Sequence, residues 1–346
     1  MAMRAEQGRL FGWQGLCLRV PEDWDLGRVD GDYSSGYARL DDAEMVRAEI
    51  EWREVPARGR RLPISQVVDR YLDKLTKKAE KSGMDFTVQR RARFLKDKRW
   101  LEGAEYEAFL WEADYRAYNV ARVCGECGRI VLVRLLGRVD ENMEALANEV
   151  FPTLTDHPEG DEVTWSVYGM TFRMPMEYKL SEQDLKSGHI KLSFERKGHV
   201  CRMHRLNMAQ TLLHGGELSD WYPGFFRKDL RDFDYEVHGE EVRGHAGIRV
   251  LGRPRSRWRQ MLRPLPFINP RPRRYLDGRI WHCDAGNRIC LVEHLYRKRD
   301  DGGGLTDTLT DGFICHPQGA ASDAGGHDGL PAGAQRHTEV GEERAG

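Results

Sequence analysis

The sequence predicts an α+β protein made of two tandem homologous domains, each a mostly antiparallel sheet with helices packed on it. Three observations lead there. A block late in the first half recurs at a constant offset in the second: Arg129-Ile-Val-Leu-Val133 returns as Arg288-Ile-Cys-Leu-Val292, and His157-Pro as His316-Pro. Over positions 120–160 the ungapped comparison gives 11 identities in 41, including Cys124 with Cys283, where chance gives roughly two or three. Each half also runs through several short alternating segments before and after one helical segment, without the regular strand–helix alternation of a parallel sheet.

Element by element, each copy opens with a short strand (16–20; 170–174) that stops at Pro21 or Pro175, since proline donates nothing to a ladder. A strand pair follows at 37–40 with 45–53, and again at 189–195 with 199–206. In the first copy Ile64, Val67, Val68, Tyr71, Leu72, Leu75 and Ala79 fall at helical spacing, so an amphipathic helix is expected. Its counterpart runs from Leu218 to Leu230, irregular at Pro223 and Gly224. Strands are then expected at 84–94, 100–112, 117–124 and 129–136, and at 233–238, 241–251, 278–283 and 288–295. Closing helices are expected at 140–154 and 302–314, the latter weakened by Gly302-Gly-Gly304. The domain limits are thus 8–160 for the first repeat and 161–319 for the second, with an insertion at 253–274. Residues 320–346, nearly devoid of apolar side chains, are expected to be a disordered tail.

The opening strand with its proline and aromatic, Leu16-Cys-Leu-Arg-Val-Pro-Glu-Asp-Trp24, and the order of elements resemble the PsbP-like superfamily, which includes the Mog-type Ran-binding proteins. The resemblance concerns fold alone and implies a non-enzymatic binding or assembly role. No residue here matches a Ran-binding or photosystem-binding position.

Composition narrows the function classes. Of 346 residues, 54 are Lys or Arg and 55 Asp or Glu, for a net charge of −1. A polyanion could be bound only through a local patch. No run approaches the roughly 18 apolar residues of a membrane span, and the first residues lack the apolar segment of a secretory signal. Seven cysteines, an odd number, suggest free thiols in a reducing cytoplasm.

Cys124-Gly-Glu-Cys127-Gly has the spacing of a zinc knuckle. Zinc needs two further ligands and the sequence has no second knuckle, so Cys124 reads as a buried strand residue and Cys127 as a turn residue. Redox chemistry would require a helix N-terminus, whereas strands flank this motif. Cys315-His316 with His282-Cys283 would make a metal set in the second copy. The first offers only Asp156-His157 and Val123-Cys124 at those positions, so each His-Pro is read as a helix stop. No catalytic residue and no cofactor are expected. Neither carboxylate cluster, Asp41-Asp42-x-Glu44 or Glu102, Glu105 and Glu107, has a histidine base near it in sequence.

The insertion is the most distinctive surface. Arg253, Arg255, Arg257 and Arg259 alternate with Pro254, Ser256 and Trp258, and Arg271, Arg273 and Arg274 follow, with no acidic residue between. An extended chain would set the first four guanidinium groups on one face, suited to carboxylates or phosphates. The sequence is therefore read as a binding or assembly protein acting on an unidentified protein partner. The rival readings are a nucleic-acid or polyanion binder working through the insertion and an enzyme with a cleft between domains.

Overall fold

The computed structural model describes residues 8–55, 62–158, 160–255, 273–297 and 304–316. The chain begins with a hairpin of β1 (Arg9–Trp13) and β2 (Leu16–Val20). Its turn residues Gln14 and Gly15 both have positive φ, 51° and 81°, the backbone that fits the twist of a two-residue hairpin. A seven-stranded antiparallel sheet follows: β3 (Asp25–Gly31), β4 (Ser35–Asp41), β5 (Val46–Arg53), β6 (Thr87–Gln89), β7 (Glu105–Glu112), β8 (Tyr115–Val123) and β9 (Ile130–Arg138). Its spatial order is β3-β4-β5-β9-β8-β7-β6. Helix α1 (Ile64–Ser82) lies between β5 and β6 in the chain, and α2 (Glu144–Val150) follows β9.

The second half repeats this wiring. A hairpin of β10 (Glu162–Val167) and β11 (Met170–Pro175) turns at Tyr168 and Gly169, φ 51° and 72°. Then come β12 (Lys179–Lys186), β13 (His189–Arg196), β14 (His199–Asn207), α3 (Ala209–Leu213), α4 (Leu218–Phe225), α5 (Arg227–Leu230), β15 (Phe233–Val242), β16 (His245–Pro254), β17 (Tyr275–Cys283), β18 (Arg288–Tyr296) and α6 (Leu305–Asp311). The sheet order is β12-β13-β14-β18-β17-β16-β15, the same connectivity as in the first half.

The two opening hairpins leave their own halves and join. Gly12 of β1 sits opposite Ser166 of β10, giving a four-stranded sheet β11-β10-β1-β2. A side chain at Gly12 would stand 3.0 Å from the backbone of Ser166 and Thr164, so glycine permits the close approach. Trp13 and Trp165 meet edge to face across the junction, 4.9 Å apart. One core cluster spans this sheet and the inner faces of both large sheets, from Leu40 and Ile50 through Trp13 and Phe172 to Leu192 and Trp281. A second cluster lies under α1 and a third under α3–α5. The layers therefore run helix, sheet, shared sheet, sheet, helices.

This corrects the expected fold class. The protein is predominantly β, with three antiparallel sheets and few, mostly short helices, rather than α+β. Among the described helices only α1 is long; the others have four to eight residues. The physical causes are local. Pro152 turns the end of α2 into a short 3-10 turn, Phe151–Thr153. The helix expected at Leu218–Leu230 carries Pro223 and is split at Phe226, which leaves helical geometry at ψ 21°, while left-handed Met208 and His214 confine α3 before it to one turn. Strand expectations also shift. The 84–94 segment pairs only at β6, residues 99–101 form a 3-10 turn before β7, and β1, β3, β10 and β12 were not foreseen. Helix α1 behaves as its spacing predicts, burying Ile64, Val68, Leu72 and Ala79. It ends at Gly83 with φ 65°, while Glu105 from β7 accepts the Ile64 N–H at 2.7 Å. The tail expected at 320–346 lies outside the described residues.

Candidate metal centres

The β15–β16 turn, Arg243-Gly244, has φ 53° and 78° and delivers His245 as the first residue of β16. In the β16–β17 ladder Gly247 is opposite Trp281. Two residues further that register sets His245 opposite Cys283, the last residue of β17. Trp281 and Cys283 share the inner face. The chain then passes through β18 and α6, and Ile314 bridges back to Thr171 of β11. This bridge pins the next two residues, Cys315 and His316, over the same spot.

Four side chains therefore converge from three separate pieces of chain. The ligand atoms of His245, Cys283, Cys315 and His316 lie within 4.8 Å of one another. His316 Nδ1 is 3.3 Å from Cys283 Sγ and 3.2 Å from Cys315 Sγ. His245 Nε2 is 3.4 Å from Cys315 Sγ. A tetrahedral zinc ion with ordinary Zn–S and Zn–N bonds sets S···N edges of about 3.5 Å. Both cysteines are buried. The hydrogen bond between the two thiols holds Cys315 down at about 7 and pushes Cys283 well above the usual range.

The first half builds a second quartet at the matching place: Cys124, Cys127, Asp156 and His157. Three positions correspond at the offset of 159: Cys124 to Cys283, Asp156 to Cys315, His157 to His316. The fourth does not. In the β7–β8 ladder Glu105 is opposite Val123, so the place of His245 falls to Ala104. Instead Cys127 enters from the β8–β9 turn, where the second half has Gly286. Thr155 makes the same backbone bridge, to Cys17 of β2.

One arginine fixes each ligand segment. Arg129, fully buried, donates to the carbonyls of Gln14 (3.0 Å), Asp156 (2.9 Å) and Tyr33 (2.9 Å). Its counterpart Arg288 donates to Gly169 (3.4 Å) and Cys315 (3.2 Å). Burial is the largest single influence on the Asp156 carboxylate and works against its charge, but the charge and hydrogen bond of Arg122 together with those of His157 hold its pKa below the usual range.

Sequence reasoning singled out Cys124 and Cys127 but read them as a strand and a turn residue, and it considered Cys315, His316 and Cys283 with His282 before reading each His-Pro as a helix stop. The His282 Nδ1 instead lies 3.4 Å from Asp284, and His245 completes the set. The signal was available in the match of Gly103 with Gly244, which places Ala104 against His245. A ligand is lost at Gly286 and another gained at His245.

The arginines of the insertion are only partly placed. Arg257, Trp258, Arg259 and Arg271 lie outside the described residues. Arg253 is exposed near the end of β16, opposite Asp234. Arg255 pairs with Asp234 at 2.9 Å. Arg273 is exposed, and Arg274 is half-buried, which lowers its pKa.

No protein-family model matches this chain, and no curated protein does. A solved structure described as the immunity protein TplEi of T6SS from Pseudomonas aeruginosa complexed with "L" peptide matches with a TM-score of 0.35 and 11% identity. The match covers 89% of this chain and 97% of that one. At that level it assigns neither fold nor function. Among the described residues no helix is long and apolar enough to cross a membrane.

Proposed function

We propose that this chain is a non-catalytic binding or assembly protein whose second half is locked by a zinc ion on His245, Cys283, Cys315 and His316. The observation that carries the reading is the convergence of two thiols and two imidazoles from three chain segments at tetrahedral edge lengths. Thiolate and imidazole donors in equal number suit zinc. Four protein ligands fill the coordination sphere and leave no position for substrate, which favours a structural ion over a catalytic one. The ion would tie the ends of two strands in the large sheet to the segment bridging the shared sheet, closing the 283–315 loop. Two thiolates and two neutral imidazoles around a divalent ion carry no net charge, which suits a buried site.

The test is metal analysis of the purified full chain with melting followed in parallel. The reading expects bound zinc, loss of one equivalent in His245→Ala and in Cys315→Ser, and a melting temperature that rises with added zinc. A chain that keeps the same zinc content in both variants would overturn it.

A further inference from the structure

We propose that the first half holds a second, more readily exchanged zinc ion on Cys124, Cys127, Asp156 and His157. The inference shares the choice of ion with the reading above but rests on different residues and can fail separately.

The turn has the build of a zinc knuckle. Gly128, with φ 70°, donates its N–H to the Cys124 carbonyl at 3.2 Å. The Glu126 N–H points at Cys124 Sγ from 3.4 Å, the kind of contact that supports a thiolate. The other ligands are already oriented. His157 Nδ1 lies 3.5 Å from Cys124 Sγ and 2.8 Å from Asp156 Oδ1. Its far nitrogen, Nε2, is held by Glu126 at 3.0 Å. A carboxylate on the outer nitrogen places the proton there and leaves the inner lone pair for a metal. Asp156 is divided in the same way: Oδ1 faces the quartet while Oδ2 is held by Arg122 at 2.9 Å. With two thiolates, a carboxylate and a divalent ion, the site keeps one net negative charge, and Arg122 offsets it.

The two quartets differ in access. Both thiols of the second-half site are buried, whereas Cys127 is exposed. An open groove of about 400 Å³ lined by Leu62, Pro63, Gly103, Glu105 and Gly125 runs beside the knuckle. A chelator can reach the ion from that side and displace Cys127 first.

The experiment loads the full chain with zinc, removes the excess, and follows zinc release to EDTA over time. Two equivalents are expected, one leaving at least tenfold faster than the other. Cys127→Ala, at the surface and so compatible with folding, should lose the fast equivalent only, as should His157→Gln. Cys315→Ser should lose the slow one. The proposal falls if Cys127→Ala and His157→Gln retain the full zinc complement of the unmodified chain. If the chain binds one ion, lost in Cys127→Ala and kept in Cys315→Ser, this proposal stands and the structural ion of the second half does not. The reverse pattern leaves only the structural ion.

Discussion

The two halves solve the same problem with opposite charge. In the first, Arg134 of β9 faces Glu49 of β5 at 2.9 Å, reaches Glu51 at 3.0 Å, and lies over the Tyr71 ring of α1. At the matching register in the second, Glu293 of β18 faces Arg202 of β14 at 3.7 Å and accepts the Tyr222 hydroxyl of α4 at 2.6 Å. Strand pairing fixes the place of the pair, and a helix tyrosine covers it in both, but the sign of the charge on the inner strand is free to invert. The metal quartets show the same rule. A strand end fixes one ligand position in each half and a backbone bridge with an arginine clamp fixes two more, and the fourth comes from whichever neighbour is close enough.

The largest effect expected from breaking this comparison is at the metal. Zinc at about a thousandfold over its dissociation constant stabilises by about 4 kcal/mol. Cys315→Ser should remove most of that, whereas Cys127→Ala should cost less, by about 1.4 kcal/mol for each tenfold by which the first-half ion is held more weakly. Chemical denaturation with and without zinc reads both.

The arginine clamps come next. Arg129→Ala leaves three carbonyls without their buried donor and should cost about 3 kcal/mol. Arg288→Ala loses two longer contacts at a half-buried site and should cost about 1 kcal/mol. Equal losses would mean that the clamps are not graded as the distances indicate.

The inverted pair predicts a difference in pH response. Burial raises the Glu293 carboxyl above the usual range, opposed by Arg202 and by the Tyr222 hydroxyl. Its folded pKa lies above the unfolded value, so stability falls as pH rises from the unfolded value through the folded one. Glu293→Gln keeps an acceptor for Tyr222 and should flatten that fall, gaining stability at pH 8 relative to pH 5. Arg134→Met leaves the Glu49 carboxylate with the Tyr37 hydroxyl but without its charge partner and should cost about 2 kcal/mol at neutral pH. Urea titrations at the two pH values decide between these outcomes.

The smallest effect is expected at Arg255. Its pair with Asp234 is exposed, so Arg255→Ala should shift stability by less than about 0.5 kcal/mol. A larger loss would give the described end of the insertion a structural part.

Much of this was legible where chemistry is local. The α1 stripe, the strand at 129–136 and the Cys124 and Cys127 turn follow from spacing alone. The shared four-stranded sheet was not, because β1 pairs with β10 over some 150 residues and nothing in either segment names its partner. His245 was missed for the same reason. Its role depends on the β16–β17 register, which sets it opposite a cysteine 38 residues later in the chain. The weight given to helices was misplaced, since glycine, proline and left-handed residues cut most of them to one or two turns.

The most direct test of the central claim is a cobalt titration of the metal-free chain, with His245→Ala alongside. Thiolate-to-cobalt charge-transfer absorption and the intense visible bands of tetrahedral coordination should grow to saturation in the unmodified chain and lose one equivalent in the variant. A weak six-coordinate aquo-cobalt spectrum, the same in both proteins, would contradict it.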